Sequence, residues 1–519
     1  MARTRNGAVS AAATIAAALL LAGCTATGTT DEALPWPEPT VPWTDEAKEP
    51  LASPLSLEAL VAFSGVVALN AGSSCSGTLI DTGVPAGPGY VLTNGHCVGD
   101  VGRPPQQTTI DEDWFGTAEF LRAEGNLDGT FTAEVVELAY STMRHTDTAI
   151  VRLDRTLGEL QDLGLRAVPI AAAEPAKGST AVNVGVPVQD IADPADIVLR
   201  RGECTLGAQH TLLESHWLWS GAWSNDCEGI QQGSSGSGVF AVDADGAPTE
   251  IVAMINTTSW GALAEEACEL NGPCEVTADG VAMAPRTSYA QSVAGVGRCF
   301  DAVTGVFALG DACPLPVSDL TALAGGGAFR GGGLLDGFGR TPQAELVGAR
   351  PGTVRTALVP LGDATACGDA ATYAGADAQP LPGGEGVGWG EGLVVEPVLP
   401  ETEGRYALCA VQGENYAGAA TIVFTVDRTP PVWPAGATVE RIDDVVVVQP
   451  FVRSPELANS RYTWGPLGEA DCDDTASFEG FRIVPLMIEA TDLPATYCLY
   501  QTDSAGNPTP VTRIDIPAL

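Results

Sequence analysis

From about residue 56 to 313 the chain is a succession of short apolar runs, among them 65–69, 90–93, 149–153 and 251–255, each set off by Gly, Pro, Asp or Asn. Runs of this length bounded by turn formers predict β-strands, and the 3.6-residue spacing of an amphipathic helix is scarce. The pattern predicts an all-β fold, a barrel or a sandwich. Pro-rich breaks at 314–316 and at Thr429-Pro430-Pro431 mark boundaries, because such breaks end paired strands.

Beyond residue 313 a weak internal repeat appears. Leu361-Gly362-Asp363 leads to Cys367-Gly368-Asp369, and Arg405-Tyr406-Ala407-Leu408-Cys409 follows, with Gln412 after it. The second copy answers with Leu467-Gly468-Glu469, Cys472-Asp473-Asp474, then Ala495-Thr496-Tyr497-Cys498 and Gln501. Each copy has immunoglobulin-like length, short β-branched runs such as 421–426 and 445–448, and one cysteine couple. Two tandem Ig-like β-sandwich modules are therefore expected, over 314–428 and 429–519, with a spacer role or a role in adhesion or substrate capture left open.

Composition agrees with many turns between short strands. The 519 residues include 61 Gly and 37 Pro, above averages of roughly 7% and 5%. Asp and Glu number 65 against 25 Lys and Arg, a net charge of −40. A field of that sign repels phosphates, so no nucleic-acid partner is expected. Residues 1–23 read as an export signal, with Arg3 and Arg5 ahead of an apolar stretch at 11–21 that is short for a membrane span. Its end, Leu21-Ala22-Gly23-Cys24, resembles the lipobox of bacterial lipoproteins, which implies cleavage before Cys24 and acylation there; an ordinary secretory signal is the alternative. Acyl chains at about 0.8 kcal/mol per buried CH₂ would hold the chain on a membrane. Residues 24–55 follow as lipid anchor and an extended Thr-, Pro- and acid-rich tether. The implied location is the cell envelope, on the extracytoplasmic side of a bacterial membrane, with the N-terminal lipid as the one membrane contact.

The chain has 13 cysteines. Leaving Cys24 aside, the remainder is even, as suits an oxidising compartment. They fall into neighbouring couples: Cys75 with Cys97, Cys204 with Cys227, Cys268 with Cys274, Cys299 with Cys313, Cys367 with Cys409, and Cys472 with Cys498. Zinc is the rival use for such residues, but there are only four His and no Cys-x-x-Cys spacing, so no metal is expected.

Three segments carry candidate chemistry. In Tyr90-Val91-Leu92-Thr93-Asn94-Gly95-His96-Cys97 an apolar strand delivers His96 to a loop that a Cys97–Cys75 bridge would pin, and a general base needs such positioning. Asp147 stands immediately before the apolar run 149–153, where a carboxylate can orient a histidine and stabilise its imidazolium. His145 and Asp154 nearby read as surface groups. In Gly233-Ser234-Ser235-Gly236-Ser237-Gly238 glycines flank a serine, which allows backbone N–H groups to converge on one point. A linker is the plainer reading of a Gly-Ser cluster, although linkers are seldom framed by a cysteine and a strand. The cluster is no α/β-hydrolase nucleophile elbow, since position 237 is Ser.

Taken together, the order His, Asp, Ser resembles that of chymotrypsin- and trypsin-like serine proteases. Leu92-Thr93-Asn94-Gly95-His96-Cys97 resembles the family's Leu-Thr-Ala-Ala-His-Cys, 147–153 its Asp-Ile-Ala-Leu-x-x-Leu, and 233–238 its Gly-Asp-Ser-Gly-Gly-Pro. The serine segment is similar to the Gly-Asn-Ser-Gly-Ser-Pro of bacterial glutamyl endopeptidases. The resemblance covers residues 56–313 and implies a double β-barrel in which Ser235 is the nucleophile, His96 the base and then acid, and Asp147 the orienting carboxylate. The N–H groups of Gly233 and Ser235 would bind the oxyanion, and no cofactor is required. Ser234 replaces the Asp that pairs with a new amino terminus in animal zymogens, so activation by that ion pair is not expected. Gly238 replaces the usual Pro.

By the same resemblance Gly229 and Ile230 fall at the base of the primary pocket, where no Asp attracts Arg or Lys. Asn256, Thr257 and Thr258 would pair with substrate backbone, or, in another register, Ser259-Trp260-Gly261. The His that accompanies glutamyl specificity is absent from this strand. Asp243-Ala244-Asp245-Gly246 fits a hairpin turn better than a calcium loop. The expected activity is a membrane-anchored serine endopeptidase acting as a monomer on protein or peptide substrates; the alternative is an inactive homologue serving as a surface binding or adhesion lipoprotein.

Overall fold

The computed structural model describes residues 50–99, 108–262, 267–278, 280–330, 341–384, 388, 390–452, 456–480 and 485–518. The export signal, Cys24 and the tether up to residue 49 lie outside the described residues. The fold is all-β. Strands Val66–Asn70, Ser74–Leu79, Pro88–Thr93, Thr148–Thr156, Phe131–Thr142 and Thr108–Phe120 pair antiparallel in that order and close into a barrel. A second antiparallel circuit runs through Thr180–Gly185, Arg200–Glu214, Trp217–Asn225, Ser288–Ser292, Pro248–Thr258 and Gly238–Val242, which pairs back to the first of these.

The unbroken apolar runs have a physical cause. Side chains alternate along a strand. Val67, Val91, Ala149 and Val151 belong to a core that takes in no strand of the second circuit. Their neighbours Val66, Leu92 and Ile150 instead join Val182, Val184, Phe240 and Met254 of the second circuit in one cluster. A strand that fills its own barrel with one face and packs on the neighbouring barrel with the other has no face left for polar residues. The same cluster takes in Leu55, and Ser53–Pro54 pair with Arg200 and Arg201, so the end of the stretch read as tether is built into the fold. A Thr-, Pro- and acid-rich composition predicts a tether, but pairing through backbone groups leaves no compositional mark.

Two further two-sheet units follow. In the first, Leu320–Gly325, Ala344–Gly348 and Leu393–Val395 form one sheet, and Gly327–Phe329, Ala420–Val426, Gly404–Gln412, Gly352–Pro360 and Gln379–Leu381 the other. Their facing side chains, including Leu346, Leu408 and Phe424, share a core. The second unit has Ala437–Ile442, Val445–Pro450 and Leu486–Glu489 opposite Glu479–Gly480, Asn459–Pro466, Ala495–Thr502 and Thr512–Ile516. In both, a cysteine on one strand bonds to one in the connection after its partner strand: Cys409 to Cys367, and Cys498 to Cys472. The structure also joins Cys75 to Cys97, Cys204 to Cys227, Cys268 to Cys274 and Cys299 to Cys313. The first unit packs on the second barrel through a cluster in which Leu213 and Leu218 meet Leu361, Ala364, Ala407 and Val423. Among the described residues no helix is long and apolar enough to cross a membrane.

Candidate active site

His96 follows the strand Pro88–Thr93 in a single 3₁₀ turn, Gly95–Cys97, and the Cys75–Cys97 bond ties that turn to the neighbouring strand. Gly95 is required there, because a Cβ would come within 2.2 Å of Thr142 O and 3.1 Å of Asp147 Oδ1. The closeness brings the Asp147 carboxylate to the turn. Asp147, wholly buried, gives both carboxylate oxygens to His96: Oδ1 accepts the His96 backbone N–H at 3.0 Å, and Oδ2 lies 2.6 Å from Nδ1. Asn94 Nδ2 donates to the Asp147 carbonyl at 3.0 Å, closing the loop on itself. With Nδ1–H committed to the carboxylate, the neutral imidazole carries its free lone pair on Nε2.

Burial works to lower the His96 pKa, but the charge of Asp147, its hydrogen bond and the further charge of Glu214 outweigh it and hold the imidazole above the ordinary histidine value. The ring is still 33% exposed at the side chain. Glu214, at the end of Arg200–Glu214, is buried, and burial pushes its carboxyl up. The Thr257 hydroxyl, the Asn271 N–H at 2.9 Å from Oε1, and His96 oppose that rise.

Ser235 lies in the turn before Gly238–Val242. Every carbonyl from 232 to 235 is turned into the protein: Gln232 O accepts from Val188 N at 2.8 Å, Gly233 O from Ser76 Oγ at 2.8 Å, Ser234 O from Ser237 N at 2.9 Å, and Ser235 O from Ser76 N at 2.8 Å. In a trans peptide the N–H points opposite to its carbonyl. The N–H groups of Gly233 and Ser235 are thereby directed away from these contacts, and among the described residues neither donates to another protein group. Gly233 at φ 94° and Gly236 at φ 82° occupy left-handed backbone that side chains resist. A Cβ at 236 would also lie 2.2 Å from Ser76 O. Ser76 was not singled out from sequence, though it sits between Cys75 and Gly77. Its hydroxyl bridges Gly233 O and Val186 N, both at 2.8 Å, and so fastens the serine loop to both barrels.

The structure thus brings His96 and Asp147 into direct contact and fastens the Ser235 turn, through the Ser235 carbonyl, to Ser76 of the strand Ser74–Leu79. Gly229, at φ 77°, packs so closely on Ala52 that a Cβ would meet its nitrogen at 2.3 Å. Ile230 is buried beside Trp223, Val252 and Ile255. Strand Pro248–Thr258 outruns its partner Gly238–Val242, so among the described residues Thr257 and Thr258 pair only with Ser288–Ser292 and no strand pairs with their other edge. Asn256 sits at a bulge with both amide atoms buried and without a hydrogen-bond partner among the described residues, while Thr257 and Thr258 are half-buried. Ser259-Trp260-Gly261 falls beyond the strand. Asp243 Oδ1 accepts from the N–H groups of Asp245 and Ala247 in the hairpin turn. His145, read as a surface group, is instead wedged against Ala419 O at 2.8 Å.

Comparison with known proteins gives three results. No curated protein matches the chain. Among solved structures it is similar to a thermostable serine protease, AL20, from an extremophilic microorganism, at 15% identity over 46% of this chain and 94% of that one, with a TM-score of 0.30. It is likewise similar to a Glu endopeptidase solved with MPD, at 15% identity over 48% and 94%, also with a TM-score of 0.30. The family described as the trypsin-like peptidase domain matches residues 75–248, the span that holds His96, Asp147 and Ser235, and the chain carries a trypsin-like peptidase domain there.

Proposed function

We propose that the chain is a serine endopeptidase, exported and lipid-anchored through Cys24 on the extracytoplasmic face of a bacterial membrane, with its peptidase unit ending near residue 313 and Ig-like modules beyond. The observation that carries this reading is the dedication of the whole Asp147 carboxylate to His96, 2.6 Å from Nδ1, together with a serine turn, held on the strand Ser74–Leu79, whose Gly233 and Ser235 N–H groups are unspent among the described residues. In the proposed reaction Nε2 of His96 takes the Ser235 hydroxyl proton as Oγ attacks the scissile carbonyl. The oxyanion takes up the two N–H groups, which are organised before charge develops and so lower the barrier without rearrangement. Asp147 stabilises the imidazolium. His96 then protonates the leaving amine, and a water deprotonated by the same Nε2 releases the acyl group. Substrate would lie as an added strand along the open edge of 256–258.

The test is active-site labelling. The disulfide-bonded chain from residue 51 onward is treated with a fluorophosphonate, and the adduct is mapped by mass spectrometry beside Ser235→Ala. Labelling at Ser235 in the parent and none in the variant is expected. A folded parent that takes no label would move the reading to the binding lipoprotein.

A further inference from the structure

The Asp147 loop is gripped from outside the peptidase unit. Arg144, 1% exposed, donates from Nη1 to Gly418 O at 2.9 Å and from Nη2 to Leu320 O. The next residue, His145, lies 2.8 Å through Nε2 from Ala419 O; a carbonyl only accepts, so Nε2 carries the proton. Its own carbonyl accepts from Ser220 N at 2.8 Å, and Met143 O accepts from Trp219 Nε1 at 3.2 Å. Tyr140 OH donates to Pro316 O at 2.7 Å. Residues 143–145 are therefore clamped between the second barrel and the first C-terminal unit, two positions ahead of the carboxylate that orients His96. The far side of the clamp is itself braced: Gly418 O also accepts from Ser318 Oγ at 2.6 Å, and Asn415 holds Gly418 N and Val317 O.

We propose that Arg144 is a positioning residue for the triad, and that the first C-terminal unit completes the peptidase by capping Arg144 and His145 and so fixing the backbone that presents Asp147. The inference rests on the triad reading given above. A guanidinium taken out of water needs its donors filled, and the planar fork fits carbonyls set at a fixed angle. Both of its Nη atoms donate to carbonyls of the first C-terminal unit, those of residues 320 and 418. If they move away, both Nη donors of a buried cation lose their acceptors, and 143–146 loses the hold these give it. His145 at φ 59° holds left-handed backbone that a non-glycine residue keeps only where its surroundings impose it. The strain is imposed here by hydrogen bonds on both sides of the residue.

Full-length protein with its disulfides formed is compared with Arg144→Met, Arg144→Lys and Asn415→Ala. Three quantities are read: kcat and KM on a peptide substrate, the rate of fluorophosphonate labelling, and the far-downfield proton resonance of the His96 Nδ1–H on Asp147. Arg144→Met is expected to lower kcat and labelling by about tenfold to a hundredfold, the scale of a misplaced catalytic group, with KM little changed and the downfield resonance broadened or lost. Arg144→Lys, whose ammonium can still donate to carbonyls, should recover part of each. Folded Arg144→Met with parental kcat and resonance overturns the proposal. If Arg144→Met does not fold, Asn415→Ala, which removes only the brace, decides on the same three quantities. If the parent is never labelled, the nucleophile assignment fails by itself, and the resonance still decides: retained in Arg144→Met it overturns the positioning role, lost it supports it.

Discussion

The chemistry of the site depends on single atoms. Gly233 contributes no side chain, only an N–H aimed by a peptide whose carbonyl is fixed on Val188. Gly233→Ala would place a Cβ 2.8 Å from both Val186 O and Val188 N at φ 94°, so the peptide must turn. Removal of one oxyanion donor costs about 2.7–4 kcal/mol in the barrier, and kcat should fall accordingly with KM close to parental. A variant with full kcat would remove Gly233 from the oxyanion site. His96 gives a second prediction. In the proposed reaction its neutral form is the base; burial works to lower its pKa, and Asp147 and Glu214 outweigh this and raise it. Activity should therefore be lost as pH falls through a midpoint above the ordinary histidine value of about 6.5. The stability that this pairing contributes has the opposite sign: it is fully present below the unfolded histidine pKa and lost as pH rises through the folded one. Glu214→Gln removes one of the charges holding the imidazole up, so the acid limb of kcat/KM should move to lower pH. Coincident pH profiles would mean that Glu214 is neutral throughout that range and has no part in tuning His96.

At the scale of elements, the site is a set of turns that strands deliver and cross-links fasten. The Cys75–Cys97 bond closes a loop of 22 residues around the strand that carries His96. On loop entropy such a bond is worth about 3 kcal/mol, and Cys75→Ala with Cys97→Ala should lower the unfolding free energy by that order while depressing kcat, because the 3₁₀ turn loses its anchor. Unchanged kcat in the destabilised protein would show that the Asp147 hydrogen bonds alone hold the turn. These elements were legible in sequence for a local reason. An apolar run, a His and a Cys within eight residues record a strand, a turn and its tie in one stretch, and glycines around Ser235 record the φ the turn needs. Neighbouring cysteine couples likewise suggest their own pairings. Ser76, Glu214 and Arg144 were not legible as site residues. Their partners are backbone groups or residues far along the chain, Gly233 for Ser76 and Gly418 for Arg144, and a carbonyl is the one acceptor every residue has, so sequence gives no mark of which will be used. His145 was read as a surface group for the same reason.

At the scale of the whole molecule, the tandem repeat suggested units strung along the chain, whereas the first of them shares a core with the second barrel. Leu361 and Ala364, in the 3₁₀ segment Leu361–Gly368, pack with Leu213 and Leu218 of the strands Arg200–Glu214 and Trp217–Asn225. Apolar surface shared across a boundary couples the stabilities of the two sides, because opening either exposes part of the other's core to water. The second C-terminal unit has a separate core around Val446, Tyr497 and Leu499, so coupling should fall off beyond the first. Leu361→Ala makes the distinction measurable. Truncating a buried leucine costs about 2–5 kcal/mol, and hydrogen exchange should rise in 320–426 and also in 200–225, where no residue has been changed, while 437–516 keeps its parental protection. An exchange increase confined to 320–426 would mean that the two sides open independently and that the shared cluster is contact without coupling. An increase in 200–225 would show that the strands that end at Glu214 and flank His145 owe part of their protection to residues more than a hundred positions downstream.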